Sequence, residues 1–308
     1  LFFLACGPVE TQAPQAVAWD RGLPDLSAQA APGDFHWARS IVHLHSPHSH
    51  DACDGAHDDN EPIDDCLADF REAICATRLD AVFVTDHPNY ASYETISSLL
   101  WLQEGDELLE QNGLPIANRM ACENGHRPVL VPGFEDQLMP VGIERHHSED
   151  IQARHDLYNE MDPDTVQALS DMGAVVLVAH TEQRTVEALA PLAEAGLAGV
   201  EMFNLHAMVD PKIRPQFLGL DATEWLTAAK PFTSLEGDAE PDLMFLAFYQ
   251  EQFVSTAIWD GLSALGPTVG VAGTDAHQNV LNWLLRDGER LDSYRRMIRW
   301  FSNWLLVT

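Results

Sequence analysis

Five places in this chain carry residues whose types suit metal binding. His43-Leu44-His45 offers two imidazoles two positions apart, and Ser46-Pro47-His48-Ser49-His50-Asp51 follows at once. Side chains alternate along a strand with period two, so His43 and His45 would share a face and could serve one ion or two neighbouring ions. Further on, Asp86-His87, Glu135, His180 and Asp275-Ala276-His277 each stand just past a short apolar run. Imidazole and carboxylate ligands without thiolates suit Zn, Mn or Fe. No Cys-x-x-Cys pair occurs, which argues against a thiolate zinc site. Each residue also has an ordinary reading. His36, His48 and His57 fit a surface chelating tract, Asp86 fits a turn that bonds backbone amides, and Glu135 after Pro132-Gly133 fits a solvated loop. Those readings leave unexplained why such residues recur after one apolar run and then the next.

The runs themselves alternate with amphipathic segments from about Arg39, the pattern of parallel β/α units. Strands are expected at 40–45, 81–85, 128–131, 174–179, 199–204 and 269–273. A helix is expected from about Pro62 to Arg78, with Leu67, Phe70 and Ile74 on one face, and a longer one from Tyr93 to about Gln111, stopped by Asn112-Gly113. Residues 205–265 read as mostly helical. In a β/α barrel the carboxyl ends of the strands form one rim, where active sites are built. Residues spread over the sequence would meet there.

The order His-x-His, Thr85-Asp86-His87, Gly133-Phe134-Glu135, a strand-end His180 and Gly273-Thr274-Asp275-Ala276-His277 resembles the motif set of the PHP (polymerase and histidinol phosphatase) family. The resemblance runs from about Ser40 to His277. It implies a distorted (β/α)7 TIM-like barrel over residues 39–308 and two or three divalent ions. It also implies His43, His45, His50, His87, Glu135, His180, Asp275 and His277 as ligands, with Glu135 bridging two ions. At the offset of His50, a one-residue shift exchanges it for Asp51. That family often has Pro where Thr181 stands. It also tends to offer one more His, for which His146, His147 and His155 are the choices and His146 the preferred one. Arg145 and Arg184, just beyond site segments, are candidates to grip phosphate, although an ordinary surface arginine is the commoner reading of each. The activity implied is hydrolysis of a small phosphorylated substrate. An amidohydrolase-type amide or lactone hydrolase would share the His-x-His and the final Asp, but not the paired His277. A non-catalytic metal-binding lipoprotein would explain the His-rich stretch alone.

Composition narrows the partners. Against 48 Asp and Glu the chain has 17 Lys and Arg, a formal net charge of -31. Such a field repels DNA, RNA and anionic membrane surfaces, so nucleic acid is not expected as a stable partner. An anionic substrate would need a local positive centre, which bound ions supply. Leu1-Phe2-Phe3-Leu4-Ala5-Cys6-Gly7 resembles the end of a lipoprotein signal, which makes Cys6 a lipidation site, residues 1–38 a tether, and the protein an exported periplasmic or cell-surface lipoprotein. Membrane contact is then expected only through that anchor. The chain stops within the apolar run Trp304-Leu305-Leu306-Val307, which reads as a truncation at the C-terminus. Cys53, Cys66, Cys75 and Cys122 then form an even set open to disulfides of undetermined pairing, although Cys66 fits equally as a buried thiol on a helix.

Overall fold

The computed structural model describes residues 19–24, 26, 29–56, 63–279 and 281–308. Cys6 and Pro62 lie outside the described residues. Seven strands close into a ring: β1 (His36–Leu44), β2 (Ala81–Asp86), β5 (Val129–Phe134), β6 (Leu138–Val141), β7 (Val175–Val178), β8 (Gly199–Asn204) and β9 (Val269–Ala276), with β9 pairing back onto β1. All neighbours in the ring are parallel except β6, which runs antiparallel to β5 and β7. With helices packed outside, this is a distorted TIM-like barrel. Two additions hang from it. The hairpin β3 (Glu107–Gln111) and β4 (Leu114–Arg119) pairs onto β5, and β10 (Asn303–Val307) runs antiparallel to the first half of β1. Thus β1 changes partners midway, from β10 to β9.

Local chemistry explains most boundaries. The helix Asp64–Thr77 buries Leu67, Phe70 and Ile74 against the barrel and ends where Arg78 turns left-handed. Asp162 caps Pro163–Asp171 by accepting from the Thr165 amide, with Pro163 in the first turn. Val42, Met139, Val141, Leu177 and Val271 come from four strands and meet one another inside the ring, so the barrel is filled rather than open. Larger apolar clusters lie between the ring and its helices.

The expected helix over 93–111 does not form. Only Ile96–Leu99 is helical there, and Asn112-Gly113 joins β3 to β4 instead of ending a helix. Asn112 and Gly113 both take positive φ, 54° and 77°. That is the two-residue hairpin geometry for which Asn-Gly is the usual pair, and it outweighs the helical spacing before it. Asp106 anchors the entry: its carboxylate accepts from Arg71, Asn118 and the Ala121 and Gln103 amides.

Both cysteine pairs are joined, Cys53 to Cys66 and Cys75 to Cys122. The helix Asp64–Thr77 is therefore stapled near each end, to the loop after β1 and to the loop before β5. The second bond closes a sequence separation of 47 residues. Removing that cross-link should cost roughly 4 kcal/mol by the loop-entropy relation. Chemical denaturation of Cys75→Ser/Cys122→Ser beside the parent checks this, and equal midpoints would contradict it.

Candidate metal centre

The carboxyl rim of the barrel gathers the site. At the end of β1, His43 sits at φ 57° and the register against both β2 and β9 slips, so His43 is kinked out of regular strand geometry. His180 after β7 and Asp275 near the end of β9 also hold positive φ, 49° and 52°. Non-glycine residues in this region cost about 1–3 kcal/mol each and persist where the surroundings impose them. Here the kinks, rather than simple strand alternation, aim the side chains at one point.

Four protein groups surround a first position: His45, Asp51, His87 and His277. Nε2 of His277 lies 3.3 Å from Asp51, and Nε2 of His87 lies 3.7 Å from it. A second position is marked by two groups that share His43, one with His180 and Asp275 and one with His45 and Glu135. Nε2 of His43 is 3.3 Å from Asp275 and 3.9 Å from Glu135, while Nε2 of His180 is 3.4 Å and 3.8 Å from the same two carboxylates. Glu135 also comes within 4.0 Å of His45, between the two positions. A third group, His206 with Asp275 and His277, lies alongside. Ligands bonded at ~2.1 Å to a common ion stand roughly 3.0–3.4 Å apart, so the shortest of these separations already match a coordination shell.

Fit to a metal can be tested on the unpartnered atoms. Nε2 of His43, His45 and His277 and Oε2 of Glu135 are buried without a hydrogen-bond partner among the described residues. Buried polar atoms are seldom left so. The opposite ring nitrogens are all held. Nδ1 of His43 meets Glu201 at 2.7 Å, that of His45 meets Ser49 Oγ at 3.1 Å, and that of His87 meets the Glu135 carbonyl at 3.0 Å. Nδ1 of His180 meets Glu182 at 3.1 Å and that of His277 meets the Asp275 carbonyl at 2.9 Å. Fixing one nitrogen orients the other toward the centre, the usual support for metal-binding histidines. The residues therefore fit divalent ions.

Glu201 organises much of this. It is buried, holds His43, accepts from the His180 amide at 3.0 Å and from Asn204 Nδ2 at 3.1 Å, and Asn204 reaches on to Asp275 at 3.3 Å. Gly273 is small because a Cβ there would overlap the Glu201 carboxylate. Glu201→Gln keeps the shape and removes the charge, and should lower metal affinity about 10–100-fold. A competition titration against a chromophoric chelator measures this; unchanged affinity would contradict the role.

The carboxylates also load the histidines with protons. Burial opposes charge at His87, yet the neighbouring Asp51 and Glu135 carboxylates raise its pKa to about 11. At His180 burial is likewise outweighed, by Glu182, Asp275 and Glu135, and the pKa rises to about 9. Metal ligation needs the neutral imidazoles, and Glu201 and Asp275 raise His43 as well against its burial, so loading at pH 8 should release at least two protons and affinity should fall as pH falls. Calorimetry in buffers of different ionisation enthalpy measures the release. No net release would contradict these protonation states.

Other residues singled out in the sequence lie elsewhere. His50 belongs to none of the groups; the turn at Ser46–Ser49 sends Asp51 inward and sets the His50 ring 5.1 Å from that of His87. His146 bonds Tyr158 Oη and the Glu94 carbonyl, away from the cluster. Arg145 is exposed and donates to the Asp171 carbonyl, while Arg184 reaches Gln137 two residues past Glu135. His48 stacks on Trp101. Asp86 does what the turn reading expects, accepting from the Ser46 amide and hydroxyl at 2.6 and 2.7 Å and so tying the His-rich loop to β2. His206, Glu201 and Glu182 were not anticipated.

No known family's sequence profile matches the chain, and no curated protein matches it. Among solved structures it is similar to a two-domain protein from Bacteroides vulgatus, described as containing a predicted PHP-like metal-dependent phosphoesterase. The identity is 15%, the TM-score 0.33, and the alignment covers 62% of this chain. It spans 50% of the length of that neighbour.

Proposed function

We propose that this chain is a metal-dependent hydrolase of the PHP kind, which cleaves a phosphoric ester at a centre of two or three divalent ions (Zn, Mn or Fe). The observation that carries this reading is the convergence of unpartnered Nε2 atoms whose Nδ1 atoms are held from behind. Ions in such a site supply Lewis-acid polarisation of phosphoryl oxygens and activation of water near neutral pH. The protein's own part is positioning. Glu201, Glu182 and Ser49 fix the imidazoles, and Glu135 and Asp275 stand between the two positions. His43 and His45 are fully buried while Asp51, His87, His180 and His206 are partly open, so substrate approaches from the side of the latter.

The centre also answers the charge problem, since positive ions offset the acidic field where an anionic substrate must sit. Arg184 is assigned a supporting contact to phosphate from beyond Glu135. Two disulfides support an oxidising compartment, in keeping with an exported protein anchored through Cys6.

Elemental analysis with a panel of phosphate mono- and diesters tests the function. Bound metal, turnover of at least one ester, its loss with chelator and its return with Zn, Mn or Fe are expected. Tight metal binding without turnover of any ester would favour a metal-carrying protein instead.

A further inference from the structure

We propose that the substrate carries an uncharged aryl or alkyl leaving group, which lies in the apolar cavity opening beside the metal centre; this rests on the hydrolytic reading above. A cavity of about 300 Å³ shares His206, Asp275 and His277 with the centre. Beyond them the lining is mostly apolar, with Trp225, Leu226, Phe245, Phe248, Trp283 and Met297 beside the neutral polar Thr223, Gln278 and Asn279. That volume and lining match a site for one small organic group.

Among the described residues, no lysine or arginine lines it. A second phosphate, a carboxylate or a nucleotide tail would find no cation there. The two acidic residues in the wall are already engaged. Asp292 accepts from Arg290 and the Leu281 amide, and Asp210 accepts from the Lys212 and Ile213 amides. They offer little to a sugar or a polar base. An apolar body gains instead, because burying it removes hydrocarbon and indole surface from water. Leu226 and Trp283 are 48% and 62% exposed, so part of this apolar lining faces solvent and is open to a ligand.

The shared residues set the polarity of the reaction. The phosphoryl group faces the ligand cluster and the ester oxygen points into the cavity. Water adds its oxygen to phosphorus, the bond between phosphorus and the ester oxygen breaks, and that oxygen leaves with one proton as a neutral alcohol or phenol. Inorganic phosphate is the other product. Both atoms and charge balance without an oxidant or a further reactant.

The test compares benzylphosphonate with methylphosphonate on the metal-loaded protein by calorimetry, and benzyl phosphate with methyl phosphate by kcat/KM. Benzylphosphonate should bind about 30-fold more tightly, the equivalent of about 2 kcal/mol for a buried ring. Leu226→Ala/Trp283→Ala, at exposed positions, should cut that preference to under about tenfold and leave methylphosphonate affinity unchanged. Benzylphosphonate binding that is absent or no tighter than methylphosphonate overturns the assignment, as does a double variant with the full preference. A phosphonate preference without turnover of either ester keeps the cavity assignment and overturns the hydrolytic reading. Equal phosphonate affinities with turnover of both esters do the reverse.

Discussion

Replacing Asp275 by Asn should lower ester hydrolysis by two or more orders of magnitude and strip or misplace bound metal. The carboxylate lies within 3.4 Å of ring nitrogens from His43, His45, His180, His206 and His277. It is the group on which both positions and the third cluster converge. Asn tolerates the left-handed backbone that Asp275 adopts, so the substitution removes charge with little added strain. Loss of one ion removes water activation and phosphoryl polarisation together, so the rate falls by about a hundredfold or more. His45→Ala should behave alike, since its Nε2 faces both Asp275 and Glu135. His48→Ala is the internal control, in the same His-rich segment but packed on Trp101 rather than in the cluster. Rates and metal content measured together decide the matter. Full rate with full metal in Asp275→Asn would exclude a centre assembled from several strands. Equal damage from His48→Ala would make the local tract the better explanation.

The largest stability effect is expected outside the ligand cluster, behind two elements that wall the cavity. Asp242 is fully buried and accepts from Arg295 at 2.7 and 2.9 Å, Arg299 at 2.7 Å and Trp19 Nε1 at 2.7 Å, with Arg296 also paired to it. One carboxylate thus touches three guanidiniums, two of which are shared with Glu289 and Asp287, and joins the Pro241–Phe248 turn to the Tyr294–Ile298 helix. Asp242→Ala leaves Glu289 and Asp287 to Arg295 and Arg296 but removes the buried carboxylate common to all three arginines, and should cost about 3–5 kcal/mol, as breaking a buried pair does. Burial acts to raise the Asp242 carboxyl, but Arg295, Trp19 and Arg296 outweigh it and hold the group well below the usual carboxylate range. A depressed folded-state pKa means that this stabilisation is fully present above the unfolded value of about 3.9 and fades as pH falls below it. Urea unfolding of both forms at pH 7, and of the parent from pH 5 to pH 3, measures these effects. A difference below about 1 kcal/mol would contradict the cluster's importance.

Residue type and strand position made much of the centre legible. His43, His45, His87, Glu135, His180, Asp275 and His277 each end an apolar run, and barrel geometry brings such ends together. Asp51 was harder, because which of two adjacent residues turns inward depends on the Ser46–Ser49 turn and not on spacing. His206 sits on the short helix Leu205–Val209 directly after β8, in a stretch that reads as packing. A histidine two residues beyond a strand end is the same signal that marked the others. Glu201 left a different trace, a carboxylate in the middle of the apolar strand β8, where only a buried partner makes it tolerable. The hairpin β3–β4 hid behind helical spacing because pairing onto β5 is a tertiary fact, while its Asn-Gly turn was visible.

Anomalous diffraction from crystals of the metal-loaded protein tests the central claim most directly. Two strong peaks are expected at the carboxyl rim, one at about 2.0–2.2 Å from nitrogens of His45, His87 and His277 and an oxygen of Asp51, the other at similar distance from His43, His180, Glu135 and Asp275. A lone peak on exposed His36 or on His48 against Trp101, with no ion between the strand ends, would contradict it.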